Sequence, residues 1–141
     1  MSSIEQVIYE KLNDEADGID DHVGSSTSAR IFPGNVPQGQ ALPAIRYNRI
    51  STTYNTHLNG VTGLAETTFQ IDAYAATYDT AIALGECIRA SLQDYRDLDA
   101  DPQVDGTLEE GHYTTYDEPI DASDVGRWLV SQDFRVFFVP P

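Results

Sequence analysis

The densest run of side chains able to do chemistry in this sequence is Asp97-Leu-Asp99-Ala-Asp101-Pro-Gln-Val-Asp105. Carboxylates at alternate positions can converge their oxygens on a hard cation such as Ca²⁺. A helix–loop–helix Ca²⁺ loop starting at Asp97 would need Gly at its sixth position and Glu at its twelfth. Pro102 and Leu108 stand there, and no helical pattern follows. The stretch therefore reads as a solvated acidic loop. Asp97, Asp99, Asp101 and Asp105 are the only metal candidates in the chain, and a Ca²⁺-dependent binding module rests on them alone. His22, His57 and His112 are far apart, with no ligand-spaced pair among them. Cys87 is a single cysteine, which excludes an internal disulfide. It sits in a helical pattern beside apolar residues, where a free thiol behaves as a small hydrophobe. There is no phosphate-cradling glycine loop, no nucleophile elbow and no His-Glu-x-x-His. Catalysis needs positioned acids, bases or nucleophiles. None is announced, so the sequence points to no enzyme and no cofactor.

The charge balance narrows the partners. The net charge is −15, with fifteen Asp and Lys11 as the sole lysine. Such a chain has no basic stripe with which to neutralise phosphates, which argues against gripping nucleic acid. Strong self-repulsion is tolerable where salt screens it, because the Debye length falls to about 3 Å at 1 M. The charge therefore points to a high-salt habitat. No apolar run approaches the ~20 residues needed to span a bilayer. The opening MSSIEQVIYEKL lacks the basic start and apolar core of a secretory signal.

At 141 residues one domain, 1–141, is expected. The centre of its organisation is Phe69 to Tyr95. Phe69, Ile71 and Ala73 alternate with Gln70, Asp72 and Tyr74, as in a strand. Thr77 can then cap a helix with Asp79 in its first turn, and Tyr78, Ala81, Ile82, Gly85, Ile88, Leu92 and Tyr95 recur at helical spacing. Before this unit, Ser2 or Ser3 caps a first helix with Glu5 or Gln6 completing a capping box, and Ile4, Val7, Ile8 and Leu12 form its stripe. Asp20 to Ser28 reads as a polar loop. A short strand at Arg30 to Phe32 leads into a connection stiffened by Pro33, Gly34, Pro37, Gly39 and Pro43. A longer strand starts at Ala44, with Ile45 and Tyr47 facing one way and Arg46 and Asn48 the other. Asn59-Gly60 is a turn signal, so Ala44–Tyr54 and Leu64–Ala75 form a long projecting hairpin. Arg96 to Gly106 reads as an acidic loop, and Thr107 to Tyr116 as one or two short strands. Trp128 to Val139 is a closing strand with Trp128, Val130, Phe134, Val136 and Phe138 on one face. The fold class is α+β: a mostly antiparallel β-sheet with two helices packed on one face.

Three stretches together resemble a known family: RIFPGNVPQGQALPAIRYNRIS from Arg30 to Ser51, FQIDAYAATYDTAIAL from Phe69 to Leu84, and VSQDFRVFFV from Val130 to Val139. They are similar to the tail completion, or tail-to-head joining, proteins of long-tailed phages, a group related to tail terminators. Element order agrees over nearly the whole chain. The Asp97–Asp105 stretch and the acidic 117–124 loop are particular to this sequence.

The resemblance implies a virion structural protein, assembled in the host cytoplasm. It implies a homo-oligomeric ring, usually a hexamer, at the head-proximal end of the tail tube. Such a ring stops tube growth, docks to head connector proteins and lets genomic DNA pass through its lumen without specific binding. With the salt argument, it implies a virus of a halophilic host. A head-completion adaptor on the portal side is the alternative. A ring needs a head-to-tail interface, and strand edges and projecting hairpins can supply one. Tyr47, Tyr54, His57, Leu58 and Asn59 are the candidate contacts with a neighbour or the tube. Phe32, Val36 and Leu42 are expected to pack on the domain's own sheet.

Overall fold

The computed structural model describes residues 3–13, 18–19, 23–24, 29–37, 41–57, 60–100, 102–117 and 126–140, leaving aside the side chains of 55–64. Helix α1 spans Ile4–Leu12. Ser3 caps it, its hydroxyl accepting the Gln6 N–H at 3.2 Å. A cap of this kind is worth about 1 kcal/mol. The expected capping box does not close, because the Gln6 side chain donates forward to Glu10 at 3.1 Å, one helical turn on. Ile4, Val7, Ile8 and Leu12 are buried, as the spacing predicts.

Strand β1 (Ile31–Pro33) pairs parallel with β2 (Ala44–His57), over Ile45 to Tyr47 only. Strand β2 pairs antiparallel with β3 (Gly60–Ala75), from Ala44 opposite Tyr74 to His57 opposite Gly60. The hairpin predicted around Asn59-Gly60 is therefore present, with Leu58 and Asn59 themselves outside the described residues. Helix α2 (Tyr78–Leu92) follows, capped by Thr77, whose hydroxyl accepts the Thr80 N–H at 3.3 Å. Strands β4 (Val104–Asp117) and β5 (Arg127–Phe138) complete a five-stranded sheet of order β1-β2-β3-β5-β4. Where the sequence suggests one or two short strands after Thr107, there is a single 14-residue strand. It begins at Val104, inside the expected acidic loop, because Asp97 and Val104 exchange backbone hydrogen bonds of 3.0 and 2.9 Å that lead the chain into pairing.

Both helices lie on one face of the sheet. The stripe of α1 joins Ala81, Leu84, Ile88 and Leu92 of α2 in a core with Phe69, Ile71 and Ala73 of β3 and Val130, Phe134, Val136 and Phe138 of β5. Gly85 permits close approach: a Cβ there would meet Val130 Cγ1 at 3.0 Å. The Gly85 carbonyl in turn accepts a 3.0 Å hydrogen bond from Gln132, a polar residue buried in the apolar row of β5. Ile19 and Val23, within and beside the stretch that reads as polar loop, are fully buried in the same core. Two isolated apolar residues are too sparse to form a period, so composition hides them. Phe32, Val36 and Leu42 are half-buried.

The face away from the helices is held differently. Asp72, near the C-terminal end of the central strand, is fully buried and paired with Arg46 across the hairpin. Two guanidinium groups lie over the Tyr74 ring, Arg127 at 4.2 Å from its centre and Arg46 at 5.9 Å. Burial raises the Tyr74 hydroxyl pKa, with the two arginines pulling the other way. Burial alone would lower the Arg46 pKa, but the hydrogen bond and charge of Asp72 outweigh it and hold it above its ordinary value. A network of charge and aromatic faces does here what apolar packing does beneath the helices.

Candidate functional site

The residues expected to contact partners fall at two ends of the hairpin. Tyr47 is at its base, only 8% exposed. Its ring packs tilted against Tyr9 of α1 at 6.1 Å, and burial raises its hydroxyl pKa, with Glu5 and Tyr9 adding to the effect. It walls a shallow groove of about 330 Å³ shared with Ser3, Glu5, Gln6, Tyr9 and Pro33. Tyr54 lies far along the same strand and is 48% exposed. His57 is the last residue of β2, with its side chain outside the described residues, as are Leu58 and Asn59 entirely. The structure thus does not gather Tyr47 and Tyr54 into one patch; Tyr47 lies at the base of the hairpin and Tyr54 far along β2.

The flanking of the hairpin changes along its length. Strand β5 pairs with β3 only as far as Ala65 opposite Phe138. Beyond the Tyr54–Ala65 pair, among the described residues, the backbone of β2 and β3 continues as a two-stranded ribbon with no third strand beside it. A ribbon of two strands is marginal alone in water, which makes this the segment with most to gain from a partner.

The acidic stretch is tied by its own short-range bonds. Asp97 Oδ1 accepts the Asp99 N–H at 3.0 Å, and Oδ2 accepts from the Tyr95 hydroxyl at 3.4 Å. The Asp105 carboxylate accepts from the Gln103 side chain at 2.9 Å. Asp101 lies outside the described residues. No group of three side chains placed to hold a metal ion occurs among the described residues. His112 lies on β4, 3.5 Å from the Glu109 carboxylate, and Cys87 is half-buried on α2 beside the core.

Large apolar side chains left in solvent carry a further signal. Ile50 and Tyr54 on β2, and Leu108, Tyr113 and Tyr116 on β4, are between 44% and 55% exposed. These are the two long strands next to the sheet's free edges. Sequence reasoning missed the β4 group. Its signal, the uncharged run Gly111-His-Tyr-Thr-Thr-Tyr116, carries no turn residue inside and reads as strand, but strand position in a sheet is not visible in composition.

A model of the family described as tail completion protein gp17 matches residues 15–107. The chain belongs to this family. The match runs from the segment after α1 through β1, the hairpin and α2 into the start of β4, and so takes in two of the three stretches that carried the resemblance. The chain is also similar in structure to a chain in the virion of a native gene transfer agent particle. The TM-score is 0.64, over 92% of this chain and 91% of that one, at 18% identity. At that identity the likeness speaks for the fold, over nearly its whole length. No curated protein matches the chain in sequence. Family membership gives the tail completion protein a structural role in a virion tail. Among its described residues no helix is long and apolar enough to cross a membrane.

Proposed function

We propose that this tail completion protein assembles as a ring, six copies in the reading that the family suggests, at the head-proximal end of the tail tube. There it ends tube growth, presents a surface to the head connector and leaves a central passage for DNA. The observation that carries this reading is the shape of the hairpin. Its base is locked into the core by Ile45, Tyr47, Phe69 and Ile71, while its outer part is a bare ribbon. A rigid root with an unflanked extension is suited to reach from one subunit onto a neighbour or the tube. The strongly acidic composition supports a passage rather than a grip, because a negative lining repels phosphates and lets the cargo leave.

The test is electron microscopy of particles made without this protein and with a chain deleted for residues 53–62. The reading expects filled heads beside overlong or unjoined tails in both cases, with the deleted chain still folded by circular dichroism. Normal joined particles without the protein would overturn the reading. Normal particles with the deleted chain would remove the hairpin from it.

A further inference from the structure

The two sheet edges are guarded unevenly. Exposed edge strands present unpaired backbone N–H and C=O groups, and natural chains protect them with charges, bulges or cover. The first half of β4 has two of these protections. It carries Asp105, Glu109 and Glu110, and its register shifts between Val104 and Gly106 and again between Glu109 and Gly111. The second half has neither. From Gly111 to Tyr116 the pairing with β5 is regular, no residue is charged, and every residue is exposed.

The opposite edge repeats the pattern. Strand β1 covers β2 only from Ile45 to Tyr47. Beyond Arg49, the segment Ile50 to His57 holds no Asp, Glu, Lys or Arg. Between its register shifts, Ser51 to Tyr54 pairs regularly with β3, and the outer side of β2 is open there among the described residues. The composition echoes too: Thr52-Thr53-Tyr54 on one edge and Thr114-Thr115-Tyr116 on the other. In a chain of net charge −15 these are the places where two copies can approach with least repulsion. Of the large apolar side chains left exposed, Ile50, Tyr54, Tyr113 and Tyr116 belong to these two segments.

We propose that the open edge of β4, over Gly111–Tyr116, pairs with the open edge of β2, over Ile50–His57, of a second copy, so that the sheet runs on from subunit to subunit. The occupant is another copy of this chain. Strand direction fits: β2, β3, β5 and β4 alternate in direction, so a neighbour related by rotation brings its β2 antiparallel to β4. The two edges are different surfaces, so the contact is heterologous and leaves each copy with one edge of each kind to offer, the condition for a closed ring. In the assembled state β4 fills the column beside β2 that β1 leaves empty after Tyr47. The inference rests on the ring reading above and names the contact that builds the ring.

The test uses the full chain with one edge blocked at a time: Thr53→Asp on β2 and Thr114→Asp on β4, with Ser51→Asp and Thr115→Asp as second variants should either melt early. All four positions are at the surface of the single copy, so the thermal unfolding of the monomer is expected to stay within a few degrees. Native mass spectrometry at raised ionic strength, and electron microscopy on added tail tubes, read the assembly. Wild-type protein is expected to form rings, and each variant alone only monomers. A mixture of one isotope-labelled β2 variant with one β4 variant is expected to stop at a heterodimer, because one good edge of each kind remains. Rings from both variants as abundant as from wild type would overturn the edge pairing and leave the ring reading standing. A mixture that stays monomeric would equally overturn it. Wild-type protein that forms no ring, free or on tubes, would bring down both.

Discussion

Strands β5 and β4 lie side by side, are of similar length and are both rich in β-branched and aromatic residues, yet they use those residues in opposite ways. Strand β5 has a partner on each side and helix α2 above it, and Val130, Phe134, Val136 and Phe138 are all buried. Among the described residues strand β4 has one partner, and in its second half Tyr113 and Tyr116 remain about half exposed, Tyr116 with its ring against Trp128. The same chemistry is buried in the core along one strand and left largely exposed in the second half of the next. An exposed apolar strand is costly to keep soluble, and the net charge of −15 makes copies of this chain repel one another.

The comparison can be broken by substitution. Phe134→Ala on β5 should cost about 3–5 kcal/mol of folding free energy, the usual range for a buried Phe lost from a core. Tyr113→Ala on β4, 55% exposed, should change stability by no more than about 0.5 kcal/mol. Denaturant unfolding of the pair decides: equal losses would erase the distinction between the two strands.

A second, smaller effect sharpens it on β2, whose inner half should behave like β5. Arg46→Ala leaves the fully buried Asp72 carboxylate without its counter-ion. Breaking a buried pair typically costs about 3–5 kcal/mol, and the partial exposure of Arg46 puts the expectation near about 3. A loss below about 1 kcal/mol would mean that the face away from the helices contributes little to the fold.

The smallest effect concerns Asp133, an exposed residue of β5. Burial, then the charges of Glu110 and Asp72, raise its carboxyl pKa above the ordinary value. A carboxyl with a raised pKa in the folded state opposes folding when ionised, so its cost is absent at acid pH and appears as pH rises through the folded value. Asp133→Asn should therefore stabilise the protein by a few tenths of a kcal/mol at neutral pH, discounted for solvent screening. The gain should vanish on acidification. Unfolding curves across pH 3 to 7 that show no such convergence would contradict the assignment.

How much of this was legible in the sequence follows from what period and turn chemistry can carry. The stripe Ile4, Val7, Ile8, Leu12, the cap at Thr77 and the alternation through Phe69, Ile71 and Ala73 are local patterns, and each appears where the spacing puts it. The burial of Asp72 was not legible, because its strand neighbours predict a polar face and its cover comes from long-range pairing, with Arg46 on β2 and Ser131 on β5 beside it. Strand β4 was underestimated for the same reason. Its charged, bulged half masks the pattern, and its pairing with β5 is a long-range fact. The candidate site divides likewise. Tyr54 was expected as a contact because it sits on a hairpin announced by Asn59-Gly60, and it is exposed, whereas the exposure of Tyr113 and Tyr116 follows from their place at an edge. The family, by contrast, was legible from three stretches, two of which, Arg30–Ser51 and Phe69–Leu84, lie within the residues 15–107 that the family model matches.

The most direct measurement is a density map of the head-proximal end of an intact tail, at a resolution where strands separate. The account predicts a closed ring of this chain in which the second half of β4 lies against the outer half of the next copy's β2, forming one continuous sheet. A ring with both edges facing solvent, or a tail end without this chain, would contradict it.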